Sequence, residues 1–193
     1  MRKTDKLVSR KCSSIKSSSG EIVFRTEPEA EDLRRVRLML ETTGVFYPYE
    51  IDVAVELVED RILRGDESEY FFVFAQGGRE TAGADTGGPV SSRAGALGYV
   101  CHGPITMTEG RFDLYWIAVR KDAQGMGLGR ALLRRAEEDI LKLGGRIIYV
   151  ETSSRDIYLP TRKFYLSCGY VEVARVPRFY GDDDDKLILM KDI

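Results

Sequence analysis

The sequence predicts a mixed α/β domain with elements in the order β-αα-βββ-α-β-α-ββ, and three observations carry that prediction. Apolar residues at helical spacing alternate along the chain with short aromatic and β-branched runs. The stretch AQGMGLGRALL (123–133) leads from one such run into a long amphipathic pattern, as in a strand, glycine loop and helix. The chain has 193 residues, 43% hydrophobic and 31% charged, which is enough for one well-buried core.

The domain is expected to span 21–193. EIVFRT (21–26) reads as a strand. Thr26 and Glu29 then form a T-x-x-E capping box ahead of Leu33, Val36 and Leu40, and Gly44 ends that helix. The link VFYPYE leads to a second helix with Ile51, Val55, Val58 and Ile62 on one face, closed by Gly65. EYFFVFAQ (69–76) has the composition of a buried strand, and LGYVCHGPI (97–105) and FDLYWIAV (112–119) follow it as strands. Between the first two of these, 77–96 is rich in Gly, Ser, Ala and Pro and reads as a flexible hairpin loop.

After the glycine loop, Leu128, Leu132, Leu133, Ala136, Ile140 and Leu143 define a long helix that stops at Gly144-Gly145. RIIYVET (146–152) is a short apolar strand of the kind buried in a sheet. Pro160 starts a last helix that ends at Gly169, and YVEVARVP and KLILMKDI close the chain as strands. GDDDDK (181–186) between them reads as a solvated turn.

Charge and composition exclude several functions. A net charge of −2 gives no bulk attraction for nucleic acid. No apolar run approaches the ~18 residues of a membrane span. The stretch 1–20 is basic and serine-rich, lacks a hydrophobic signal core and reads as a disordered tail. Three widely spaced cysteines make no disulfide framework and fit a reducing, cytoplasmic setting. Cys101 and His102 are adjacent but lack a second ligand pair, so no metal is expected.

Three kinds of phosphate loop compete for AQGMGLGRALL. The triphosphate loop needs Lys-Ser/Thr after its last glycine, and Arg130-Ala131 stands there instead. The dinucleotide G-x-G-x-x-G pattern places its third glycine at Arg130, and RKDAQ separates the strand from Gly125. The remaining pattern, Q-x-x-G-x-G, is met by Gln124, Gly127 and Gly129. Glycines let the backbone approach a pyrophosphate, and N–H groups at the helix start donate to it with help from the helix dipole. A second element agrees in order and spacing: TRKFYLSCGY (161–170), with Phe164, Tyr165, Gly169 and Tyr170.

On these two motifs the chain resembles the GNAT superfamily of N-acetyltransferases over 21–193, most closely over 112–170. Thr161 stands where the family commonly has alanine, and Tyr158 where asparagine is frequent. The resemblance implies a GNAT-like mixed sheet whose central strands splay to admit acetyl-CoA between DLYWIAV and RIIYVET. Backbone groups of Ile117, Ala118 and Val119 would bond its pantetheine. Gln124, Gly125, Met126, Gly127, Leu128, Gly129 and Arg130 would grip its pyrophosphate, with Arg162 and Lys163 in reach of the phosphates. Tyr165 takes the position of the general acid and Asp113 that of the base, with Glu151 as the alternative base. Phe46, Tyr47, Tyr49 and Glu50 fall where the family builds its acceptor pocket. The implied activity is acetyl transfer from acetyl-CoA to a primary amine of a small molecule, without a metal. A catalytically silent CoA-binding module and a peptide N-acetyltransferase are the alternatives. Dimers are common in proteins of this kind.

Overall fold

Eight strands form one sheet in the order β1-β2-β3-β4-β5-β6-β8-β7 in the computed structural model, which describes residues 14–17, 20–77 and 95–193. The strands are β1 (Ser14–Ser17), β2 (Gly20–Arg25), β3 (Phe71–Gly77), β4 (Ala96–Pro104), β5 (Arg111–Val119), β6 (Ile147–Ser153), β7 (Val171–Gly181) and β8 (Asp184–Asp192). The helices are α1 (Ala30–Thr43), α2 (Pro48–Arg64), α3 (Leu128–Lys142) and α4 (Leu159–Ser167). From β2 onward the order is the one expected from the sequence. β1 is a correction, because Ser14–Ser17 pairs with β2 inside the stretch assigned to a disordered tail. Pairing of this kind depends on backbone groups, which serine-rich composition does not reveal. Most of the 77–96 loop lies outside the described residues, and its two ends, Gly77 and Ala96, belong to β3 and β4.

Two apolar layers flank the sheet. Val36, Leu40, Ile51 and Val58 of α1 and α2 pack on one face against Phe72, Phe74 and Tyr99. Leu132, Leu133, Ala136 and Ile140 of α3 pack on the other face against Val73, Val100 and Ile148. Leu132 and Ile140 are completely buried, and truncating either to alanine would cost about 3 kcal/mol. Gly145 follows α3 because a Cβ there would collide with Ile140.

The start of α1 differs from the expected box. Glu29, not Thr26, is the N-cap, and it shares a reciprocal capping box with Asp32. Asp32 is fully buried and accepts from both Arg25 of β2 and the Glu29 N–H, which fixes the helix start three residues later. In α2, Pro48 occupies the first turn and Glu50 accepts the Tyr47 N–H at 2.7 Å. Among the described residues no helix is long and apolar enough to cross a membrane.

Every strand pair is antiparallel except β5 and β6, which α3 joins in parallel. Those two pair only through Arg111–Ile147, Phe112–Ile148 and Asp113–Tyr149. Beyond Asp113 they part, while β5 stays paired to β4 as far as Val119 and β6 to β8 as far as Ser153. The sheet is therefore open between its two central strands.

Candidate active site

The glycine loop stands at the end of the opening. Gly125 and Gly127 have φ of +76° and +77°, a region that L side chains enter only with strain. Those two turns bring the backbone of 125–127 round to the start of α3, with Gly127 as its N-cap. The N–H groups of Gly125, Met126 and Gly127 have no acceptor among the described residues. Leu128, Gly129 and Arg130 add the unpaired donors of the first helical turn. Leu128 is buried and anchors the turn, while Gly125, Met126, Gly127 and Arg130 are exposed. A row of free donors at a positive helix end is an arrangement that favours negative charge.

Gln124 does not extend this row, since its backbone N–H donates to the Lys121 carbonyl at 3.5 Å, while its side-chain amide donates to the Val119 carbonyl at 3.1 Å. Arg130 reaches the end of α4, donating to the Ser167 carbonyl and hydroxyl. Phe164 sits on Gly129, where a Cβ would stand 3.6 Å from its ring. The loop and α4 are thereby one packed unit.

Along the opening, β5 presents unpaired backbone. The Arg120 N–H donates to Leu97 of β4 at 2.8 Å. Backbone groups alternate along a strand, so the N–H groups of Ile117 and Val119 point the other way, into the gap. Ala118, buried between them, directs its backbone toward β4.

A cleft of about 390 Å³ opens where β5 and β6 part. Asp113 and Trp116 of β5 and Glu151, Thr152 and Ser153 of β6 form its floor. Phe46, Tyr47, Tyr49 and Glu50 line the cleft together with Tyr158, Tyr180 and Asp184. Tyr47 and Tyr49 stack at 5.5 Å.

The Asp113 side chain is half-buried and makes no hydrogen bond or ion pair among the described residues. Burial first, then the Glu151 carboxylate, pushes its pKa up to about 6, and Lys186 opposes the shift. Glu151 receives Lys186 through both oxygens, at 3.1 and 3.0 Å. Burial and then Glu151 push Tyr180 up to about 12, and burial and then Glu50 do the same for Tyr158.

Tyr165 lies elsewhere. It is only 3% exposed, packed edge-on to Phe164 and Tyr170 in the α3-side core, and burial holds its hydroxyl well above the usual range. Arg162 is tied to the carbonyls of Ser153 and Arg155 at 2.8 Å each, which takes its guanidinium away from the phosphate loop. Lys163 is exposed. Cys101 and His102 part company across a bulge in β4: Cys101 packs on the α1–α2 side, and His102 is enclosed by Phe71 and Phe112.

Three contributors escaped sequence reasoning. Asp184 belongs to the supposedly solvated aspartate run but is buried, accepting from Ser153 Oγ and the Ser154 N–H and pairing with Arg155 at 3.2 Å. Arg155 also donates to Tyr47 Oη at 2.6 Å and stacks on the Tyr47 and Tyr158 rings. Lys186 is the third. The one available signal was that Asp184 and Lys186 stand two apart where β8 begins, and so share a face.

A mixed sheet that opens between two parallel strands, with a glycine loop and a helix start at the end of the opening, defines the class of α/β domain to which the chain belongs. Residues 67–172 match the acetyltransferase (GNAT) domain, and the chain belongs to that family. It is 40% identical to a protein from Desulfovibrio desulfuricans assigned to the GNAT family of acetyltransferases, with a TM-score of 0.77 over 89% of this chain and 98% of that one. An acetyltransferase structure from Salmonella typhimurium, solved with acetyl-CoA, shares the fold at 16% identity, with a TM-score of 0.62 over 89% of this chain and 93% of that one. Over 86 residues the chain is 28% identical to an uncharacterized N-acetyltransferase of Methanocaldococcus jannaschii, a match covering 45% of this chain and 54% of that protein's length.

Proposed function

We propose that the protein moves the acetyl group of acetyl-CoA to a primary amine of a small molecule, by direct attack within a ternary complex. The observation that carries this reading is the parting of β5 and β6 after Asp113, with free backbone donors along one edge and the glycine loop at its end. Pantetheine bonds as an extra strand to Ile117 and Val119, and the pyrophosphate is taken by the N–H groups of Gly125 to Arg130. A backbone N–H of this edge polarises the thioester carbonyl and supports the oxyanion.

The acceptor enters as an ammonium with pKa near ~10 and must lose a proton before its nitrogen can attack. Asp113 takes that proton. The nitrogen then bonds to the thioester carbon, the C–S bond breaks, and the sulfur leaves with a proton from Tyr165 as free CoA thiol. The second proton of the attacking nitrogen passes to the Tyr165 oxygen as the amide forms. A tyrosine held above its usual pKa remains protonated at working pH, as an acid must. The walls of the cleft favour an amine that is cationic and carried on an apolar or aromatic body: the rings offer flat apolar faces, and Asp113 and Glu50 offer negative charge.

Initial velocities measured while varying acetyl-CoA and amine together test the ternary complex. Intersecting lines are expected, and parallel lines would show a covalent acetyl-enzyme instead. The burial of Tyr165 favours a second reading, a CoA-binding module without catalysis, in which Tyr165 serves only the core.

A further inference from the structure

Two carboxylates face one another across the start of the strand opening, and only one of them is engaged. Lys186 of β8 stands opposite Ser153 of β6 in the ladder, so its side chain crosses toward Glu151. The ammonium takes both Glu151 oxygens and lies 3.8 Å from the centre of the Phe179 ring. Its side chain is only 14% exposed, against 50% for Glu151, so the cation is the better shielded partner. Asp113, next to this pair on the cleft floor, keeps its oxygens free.

We infer that Lys186 is a positioning residue, which occupies Glu151 and cancels its charge so that Asp113 alone accepts the proton of the incoming amine. The inference rests on the acetyl-transfer reading and deepens it. The ammonium engages both Glu151 oxygens, the atoms Glu151 would need as a base. The same cation offsets the repulsion that a second carboxylate imposes on Asp113. Without it, Asp113 faces an uncompensated negative charge, and Glu151 becomes free to compete for the proton.

The other charged or titratable groups around the pair leave Lys186 as the cation that matters. Tyr115 of β5 lies beside Asp113 and Tyr180 of β7 beside Glu151, both neutral because burial raises them to about 12. Glu50 of α2 accepts the Tyr47 N–H, and Asp184 of β8 is already paired with Arg155. The Phe179 ring, on the hairpin strand β7, lies 3.8 Å from the ammonium and adds a cation–π contact.

The test compares the wild type with Lys186→Met and Lys186→Arg by two readouts. In the pH profile of kcat/KM for acetyl transfer, the acidic limb of Lys186→Met is expected about one pH unit above the wild type, with Lys186→Arg restoring it. The carbon-13 NMR titration of the Asp113 carboxyl needs no turnover and is expected to move the same way. Thermal unfolding shows whether Lys186→Met folds. If it does not, Glu151→Gln is used with Lys186 intact, and both midpoints should then fall while turnover persists. An unmoved Asp113 titration in folded Lys186→Met, or a shift in Lys186→Arg equal to that in Lys186→Met, overturns the inference. Loss of turnover in Glu151→Gln does so too, because it makes Glu151 the base. A protein that acetylates nothing fails the underlying reading, and the NMR titration still decides the role of Lys186.

Discussion

The side-chain amide of Gln124 donates to the carbonyl of Val119 at 3.1 Å, tying the first residue of the glycine loop to the last residue of β5. The glutamine thus holds the loop in register with the strand edge instead of contacting phosphate through its side chain. Gln124→Ala removes one hydrogen bond, worth about 1 kcal/mol, and leaves the backbone donors in place. KM for acetyl-CoA is expected to rise roughly fivefold with kcat almost unchanged, measured at saturating amine.

Gly127 caps α3 at φ +77°, and a Cβ added there meets nothing within 4 Å. Gly127→Asp therefore costs the fold only backbone strain of about 1–2 kcal/mol. The new side chain stands where the pyrophosphate is proposed to lie and carries negative charge. Calorimetry should show folded protein that no longer binds acetyl-CoA, and retained binding would remove the loop from the site.

Tyr165→Phe keeps the ring that packs on Phe164 and Tyr170 and removes only the hydroxyl. If that hydroxyl protonates the leaving sulfur, kcat falls on the order of 100-fold while the affinity for acetyl-CoA and the melting temperature hold. An unchanged kcat would assign Tyr165 to the core alone.

His102 is fully buried beside Phe71 and Phe112, with neither ring nitrogen hydrogen-bonded among the described residues. Burial lowers its pKa to about 4, against an ordinary value of 6.5. The unfolded chain binds this proton more readily than the folded one. The contribution to stability is thus intact above pH 6.5 and is lost as the pH falls through 4. Denaturant titrations should find wild type losing on the order of 2–3 kcal/mol from this source by pH 4, and His102→Leu should lose correspondingly less over that range.

The parts of this molecule legible in the sequence are those fixed by local chemistry. Gly125 and Gly127 announce positive φ, apolar spacing announces α3, and the order from β2 to β8 follows from runs that no other element type accommodates. The aromatic link before α2, which the resemblance assigns to an acceptor pocket, lines the cleft. What escaped depends on partners distant in sequence. The T-x-x-E pattern at Thr26 looked sufficient, but Arg25 and the burial of Asp32 moved the cap to Glu29. One aspartate of a run of four looked solvated, yet register with β6 carries Asp184 to Ser153, and Lys186 reaches Glu151, 35 residues earlier, in the same way. Arg155 joins Tyr47, 108 residues away, to the β7–β8 hairpin. No local rule encodes such contacts.

The central claim is that an acetyl group passes from acetyl-CoA to an amine in the opening between β5 and β6. Its most direct test mixes the protein with acetyl-CoA and a panel of primary amines, measuring free thiol and the acetylated amine together by mass spectrometry. Equal amounts of both are predicted, with the highest kcat/KM for cationic amines on apolar or aromatic bodies and no product from Gly127→Asp. Tight binding of acetyl-CoA with no acetylated amine from any member of the panel would contradict the claim.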